Sequence, residues 1–113
     1  MFNLLEEIEN PKGTPLKYDN FEKYYVGAKG KGQWLFRFEN NYGASVIKRF
    51  GSYGYEEDKF ELAVLYDDHL TYNTPITDNV IGYLDNDEVL KLLEQIKDLK
   101  EWTNARFRKT VWK

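Results

Sequence analysis

Several short constellations in this chain carry the residue types of catalytic or ligand chemistry. Asp67, Asp68 and His69 are adjacent and could hold a divalent cation or form an acid–base pair. Consecutive aspartates also favour a tight turn, and neighbours in a strand point to opposite faces, so the spacing predicts a hairpin turn in place of a site. Asp85, Asp87 and Glu88 offer the oxygens that calcium takes. An EF-hand loop, however, spreads its ligands over a longer span around a central Gly, and this stretch runs straight into a helical pattern. Gly27-Ala28-Lys29-Gly30-Lys31-Gly32 could cradle a phosphate, but a strand pattern follows it and no Ser or Thr completes a Walker motif. It reads as a flexible basic loop. Ser45 lacks the Gly-x-Ser-x-Gly elbow of a hydrolase nucleophile, and His69 is the only imidazole. The absence of Cys excludes disulfides, thiol catalysis and cysteine-held zinc or iron–sulfur groups. The expectation is no catalytic residue, no metal site and no cofactor: the chain reads as a binding protein and not an enzyme.

Binding chemistry is better represented. The C-terminal stretch interleaves cations with aromatics, and Trp102, Arg106, Arg108, Lys109 and Trp112 could contact phosphates and stack on unpaired bases. The same residues also suit a basic helix end, with Trp102 and Phe107 closing a core. Tyr42, Tyr53, Tyr55 and Tyr83 fall in expected loops, and tyrosine is favoured at interfaces. Residues 55–98 hold 3 basic and 12 acidic groups, a net of −9, whereas residues 99–113 hold 5 and 1, a net of +4. The acidic stretch is either a solvated surface or a patch for a basic partner. Tyr53, Tyr55, Glu56, Glu57 and Asp58 are the candidate partner-binding surface on the second reading.

The elements that must position these groups follow from periodicity. Phe2, Leu4, Leu5 and Ile8 sit at helical spacing before Pro11, predicting a short N-terminal helix. Tyr18, Phe21, Tyr24 and Tyr25 recur at roughly helical intervals. Trp34, Phe36 and Phe38 alternate with Leu35, Arg37 and Glu39 on the other face. After the turn signal Asn40-Asn41-Tyr42-Gly43, Ala44, Val46, Lys48 and Phe50 alternate with their neighbours in the same way, and so then do Phe60, Leu62, Val64 and Tyr66. Asp67-Asp68 turns into a further strand near His69–Asn73. The reading is an antiparallel four-stranded meander over residues 33–73. Thr77-Asp78-Asn79 reads as the cap of a short turn carrying Val80, Ile81 and Leu84. Asp85 and Glu88 form a capping box before Val89, Leu92, Leu93, Ile96 and Leu99, which predicts an amphipathic helix over residues 85–104. The fold class is α+β, with the C-terminal helix packed on one sheet face. The opposite face, with Leu35, Ile47, Ala63 and Leu65, is expected to be covered by the N-terminal region or by a partner, so that a homodimer is one outcome.

At 113 residues, 42% hydrophobic and 31% charged, the chain fits a single globular domain over residues 1–113. It divides into an N-terminal helix and loops (1–32), the meander (33–73), the helix (85–104) and the basic aromatic tail (105–113). No run of apolar residues is long enough to span a membrane, and the first residues lack the pattern of a signal peptide, so the expected location is the cytoplasm of a bacterial host cell.

Three stretches carry a resemblance. They are Phe38-Glu39-Asn40-Asn41-Tyr42-Gly43-Ala44-Ser45-Val46-Ile47, Glu61-Leu62-Ala63-Val64-Leu65, and Tyr72-Asn73-Thr74-Pro75-Ile76-Thr77-Asp78-Asn79-Val80-Ile81-Gly82-Tyr83-Leu84; Tyr53-Gly54 belongs with them. Over about residues 33–98 the chain resembles small uncharacterised proteins encoded by bacteriophages and other mobile elements. The resemblance implies an accessory protein that binds and inhibits a host protein, including anti-defence, anti-CRISPR-like action against a nucleic-acid-targeting effector. It carries over no catalytic residue. The alternative is a small nucleic-acid-binding protein that uses the basic aromatic tail.

Overall fold

A computed structural model describes residues 11–77 and 80–100. The elements run as a 3-10 turn (Asp19–Tyr24), β1 (Tyr25–Gly27), β2 (Gln33–Arg37), β3 (Tyr42–Ile47), a second 3-10 turn (Tyr55–Glu57), β4 (Phe60–Tyr66), β5 (His69–Leu70), β6 (Ile81–Leu84) and α1 (Asn86–Lys97). The strands form one antiparallel sheet in the order β1-β2-β3-β4-β5, and β6 pairs with the other half of β4. This is the expected α+β class with a larger sheet than four strands. No described helix is long and apolar enough to cross a membrane.

The central register follows from the alternation. Trp34 pairs with Val46, Phe36 with Ala44, Val46 with Leu62 and Ala44 with Val64, so the apolar residues share one face. Val89, Leu93 and Ile96 of α1 are buried in the same cluster. Asp85 caps α1: its carboxylate accepts the Glu88 N–H at 2.8 Å, and Glu88 accepts the Asp85 N–H at 2.9 Å. Asp85→Ala is expected to destabilise the protein by about 1 kcal/mol and lower Tm by about 4 °C in a thermal melt. At the other end, Asn40 Nδ2 donates to the carbonyls of Ile96, Lys97 and Leu99, which α1 itself cannot satisfy. One loop amide thereby ties the helix end to the β2–β3 turn.

Several expectations need correction. Tyr42 and Gly43 belong to β3 and not to the turn, because Asn41, at φ 69, already reverses the chain. Tyr42 is buried against Tyr66 and is no interface residue. Phe50 is not on the core face, since β3 ends at Ile47. Tyr25–Gly27 adds an edge strand, and residues 81–84 are a strand in place of a capped turn. Strand pairing with β4 outweighs a local pattern too short to fix its own period. The fourth expected strand shrinks to His69–Leu70, and α1 ends at Lys97 with Asp98 as its C-cap. The expected helix over residues 2–8 and the tail over 105–113 lie outside the described residues. The described N-terminal segment packs on the helix side: Tyr18 meets Phe36, while Phe21 and Tyr24 meet Phe38. Residues 18–24 therefore do not cover the opposite face.

Candidate partner-binding cleft

The residues between β3 and β4 are shaped by backbone requirements. Arg49, Phe50, Gly51 and Ser52 form a turn: the Ser52 N–H donates to the Arg49 carbonyl at 2.9 Å, and Gly51 takes φ 94. A positive φ at the third position selects glycine and places Phe50 at the outer corner. The Ser52 hydroxyl locks the turn by accepting the Arg49 N–H and donating to the Arg49 carbonyl. Phe50 is consequently exposed.

The next segment meets β6 through two glycines. A side chain on Gly82 would overlap the Tyr53 Cβ, and one on Gly54 would stand 2.9 Å from the Tyr83 Cα. Glycine at both positions lets the backbones touch, and the Tyr83 N–H donates to the Tyr53 carbonyl at 3.3 Å. Tyr53 is anchored a second time where its N–H donates to Glu61. Tyr83 itself has φ 59. The result is a shallow cleft of about 250 Å³ between Phe50, Tyr53, Tyr55 and Tyr83, rimmed by Glu56 and Glu57.

Its chemistry is aromatic and anionic. Tyr53 is 60% exposed, Tyr83 54% and Phe50 46%, which leaves much of each ring open to a partner. Neither the Glu56 nor the Glu57 carboxylate has an ion-pair partner among the described residues. Ring faces and uncompensated carboxylates both attract a cation. Tyr55 is less accessible, and its hydroxyl accepts the Lys12 N–H at 2.8 Å.

Of the five residues expected to form this surface, Tyr53, Tyr55, Glu56 and Glu57 are brought together, and Asp58 is not. Asp58 is engaged in a different task, as the half-exposed partner of a buried lysine. Its carboxylate accepts from Lys48 Nζ at 2.6 Å, from the Thr14 N–H at 2.8 Å and from the Thr14 hydroxyl at 3.0 Å. The Lys48 and Thr14 bonds hold its carboxyl at about 2, below the usual carboxylate value. Lys48 is buried, with Nζ 3.9 Å from the centre of the Phe60 ring. A lysine continuing the apolar alternation of Ala44 and Val46 was the sequence signal for such an inward charge.

The other constellations resolve structurally. Asp67 and Asp68, at φ 55 and 68, are the two central residues of the β4–β5 hairpin. Asp68 accepts from Arg37 Nε at 3.1 Å. His69 starts β5, and no group of three or more His, Asp or Glu able to hold a metal occurs among the described residues. Gly30 and Gly32 supply positive φ in the β1–β2 connection. Trp102, Arg106, Arg108, Lys109 and Trp112 lie outside the described residues.

A larger groove of about 730 Å³ lies on the sheet face opposite α1, lined in part by Val26, Leu35, Leu65 and Leu70. Several of its polar groups bond to one another: Arg37 to Asp68, and Gln33 to Ser45 and the Lys29 N–H. The cleft differs in that its two rim carboxylates have no ion pair among the described residues. Phe50 and Tyr83 complete it. Sequence reading placed Tyr83 among the loop tyrosines and missed Phe50, whose signal was the glycine that follows it.

No protein-family model matches the chain, and no curated protein or solved structure shows detectable similarity to it.

Proposed function

We propose that the protein is a non-enzymatic binding module that holds a basic segment of a protein partner in the Phe50–Tyr53–Tyr83 cleft. The observation that carries this reading is Tyr83. A bulky residue in the left-handed region costs about 1 kcal/mol, and glycine would fill that position without strain. Retaining a half-exposed tyrosine there has no benefit to the core. It does set an aromatic face beside Tyr53 and the two glutamates, which have no ion pair among the described residues. Backbone strain kept at a surface position is a mark of a functional site.

If the chain is a phage or mobile-element protein, as its motifs lead us to expect, the partner is a host protein. Nucleic-acid-targeting defence effectors present basic grooves to phosphate backbones, a charge that this cleft complements. Anti-defence inhibition is the form of the proposal that joins the two observations.

The test is affinity capture from nuclease-treated bacterial lysate, comparing the full chain with the Glu56→Gln/Glu57→Gln variant by mass spectrometry. The expected result is a protein partner retained by the native chain, about fivefold weaker on the variant and weakened by added salt. Equal recovery on both chains would remove the cleft as the surface. Recovery that vanishes with nuclease would identify nucleic acid as the partner and direct mutation to Arg106, Arg108 and Lys109.

A further inference from the structure

Phe50 lines two pockets, and their chemistry is opposite. One is the cleft already described, with Tyr53, Tyr83, Glu56 and Glu57. The other is an open pocket of about 300 Å³, lined by Gly30, Lys31, Arg49 and Phe50. The Arg49 guanidinium has no carboxylate partner among the described residues. The backbone of Arg49 is fixed by the Ser52 hydroxyl, and Gly30, at φ 109, leaves room beside the guanidinium: a side chain there would stand 3.7 Å from Nη1. An anionic pocket and a cationic pocket thus share one aromatic wall on a locked turn.

We infer that the partner segment is extended and carries a basic and an acidic side chain two residues apart, one in each of the pockets that Phe50 lines. This rests on the reading of the cleft as a site for a basic segment, and names what lies next to that basic residue. In an extended chain, side chains at i and i+2 project to the same side about 7 Å apart, a separation that straddles a phenyl ring. Adjacent residues point to opposite sides and cannot fill both pockets. Residues four apart lie about 13 Å from each other and overshoot the shared wall. The basic side chain enters between Tyr53, Tyr83 and the two glutamates, where cation–π and ionic attraction act together. The acidic one meets Arg49, whose planar fork suits a carboxylate. Requiring both charges excludes uniformly basic segments, which Arg49 repels, and uniformly acidic ones, which Glu56 and Glu57 repel.

The experiment is an NMR titration of the full chain, labelled with nitrogen-15, following the amides of Gly30, Gly51 and Gly54. The probes are capped peptides: Gly-Arg-Ala-Glu-Gly, the same with Arg and Glu exchanged, versions with Gln for either charge, and one with Arg and Glu four apart. The expected result is that one order of the two-charge peptide binds about threefold tighter than the peptide with Arg alone, the gain of one exposed ion pair. It shifts Gly30 together with Gly51 and Gly54, and the four-apart peptide shows no such gain. In Arg49→Gln, whose fold is checked by spectral dispersion, the ratio of the two affinities falls to one. Equal affinities for the Arg-only and two-charge peptides on the native chain would overturn the two-part site and leave the cleft reading standing. Failure of every Arg-bearing peptide to shift Gly51 or Gly54 would overturn both.

Discussion

Tyr83→Gly is expected to make the protein more stable and a weaker binder. Glycine adopts φ near 59 without the Cβ clash that tyrosine carries there, so stability rises by about 0.5 kcal/mol, the surplus of the relieved strain over the more flexible unfolded chain. The lost ring was exposed, so the core loses little. Partner affinity falls by about 2 kcal/mol, a thirtyfold loss of the size expected for a central aromatic contact. Urea unfolding and affinity measurement on the same sample read both signs. Tyr83→Ala separates the two effects: it removes the ring and keeps the Cβ strain, so it loses affinity without the gain in midpoint. A Tyr83→Gly protein that binds as well as the native chain would show that the ring at this position does not contact the partner.

Asp58→Ala is expected to cost about 3 kcal/mol at neutral pH. The Lys48 ammonium is buried and is left with the Thr14 carbonyl, at 2.8 Å, once the carboxylate is gone. The loss sits at the low end for breaking a buried pair, because the Asp58 side chain is 50% exposed and water partly replaces it. The strap from Pro11 to Leu16 loosens with it, since Asp58 also accepts from Thr14. Lys48→Met with Asp58→Asn removes both charges and is expected to recover most of the stability.

The pH dependence has a definite sign. The Asp58 carboxyl lies at about 2 in the folded protein, against 3.8 ordinarily. Its depressed value means that its contribution is fully present above about pH 4 and is lost as pH falls towards about 2. Urea midpoints of the native chain and of Asp58→Asn should therefore converge over that window. A constant difference across it would show that the ionised carboxylate is not what holds Lys48.

The alternation around Phe36, Ala44, Val46, Leu62 and Val64 was legible because a residue's face depends only on its parity once the strand is formed. The Asp85–Glu88 box and the Val89–Leu93–Ile96 stripe were legible for a similar reason: their partners lie within one or two turns of the same helix. The Asp67-Asp68 hairpin needed only the torsional tolerance of two aspartates.

Position along the chain could not reveal contacts made across it. Residues 81–84 became a strand because β4 offered an edge to pair with, and Tyr25–Gly27 did so against β2. Asp58 was one more carboxylate in an acidic stretch until folding set it beside Lys48 and Thr14. Phe50 continued an alternation that its neighbour Gly51 ends. The sequence by itself determined the α+β class, the central register and the helix with its cap, all through interactions between near neighbours, and it proposed Tyr53, Tyr55, Glu56, Glu57 and Asp58 as a candidate surface, of which Asp58 stands apart. The tertiary structure decided which side chains share that surface. Tyr83 reaches Tyr53 only because glycines at 54 and 82 let two distant backbones touch, and this close approach is a property of the packed chain.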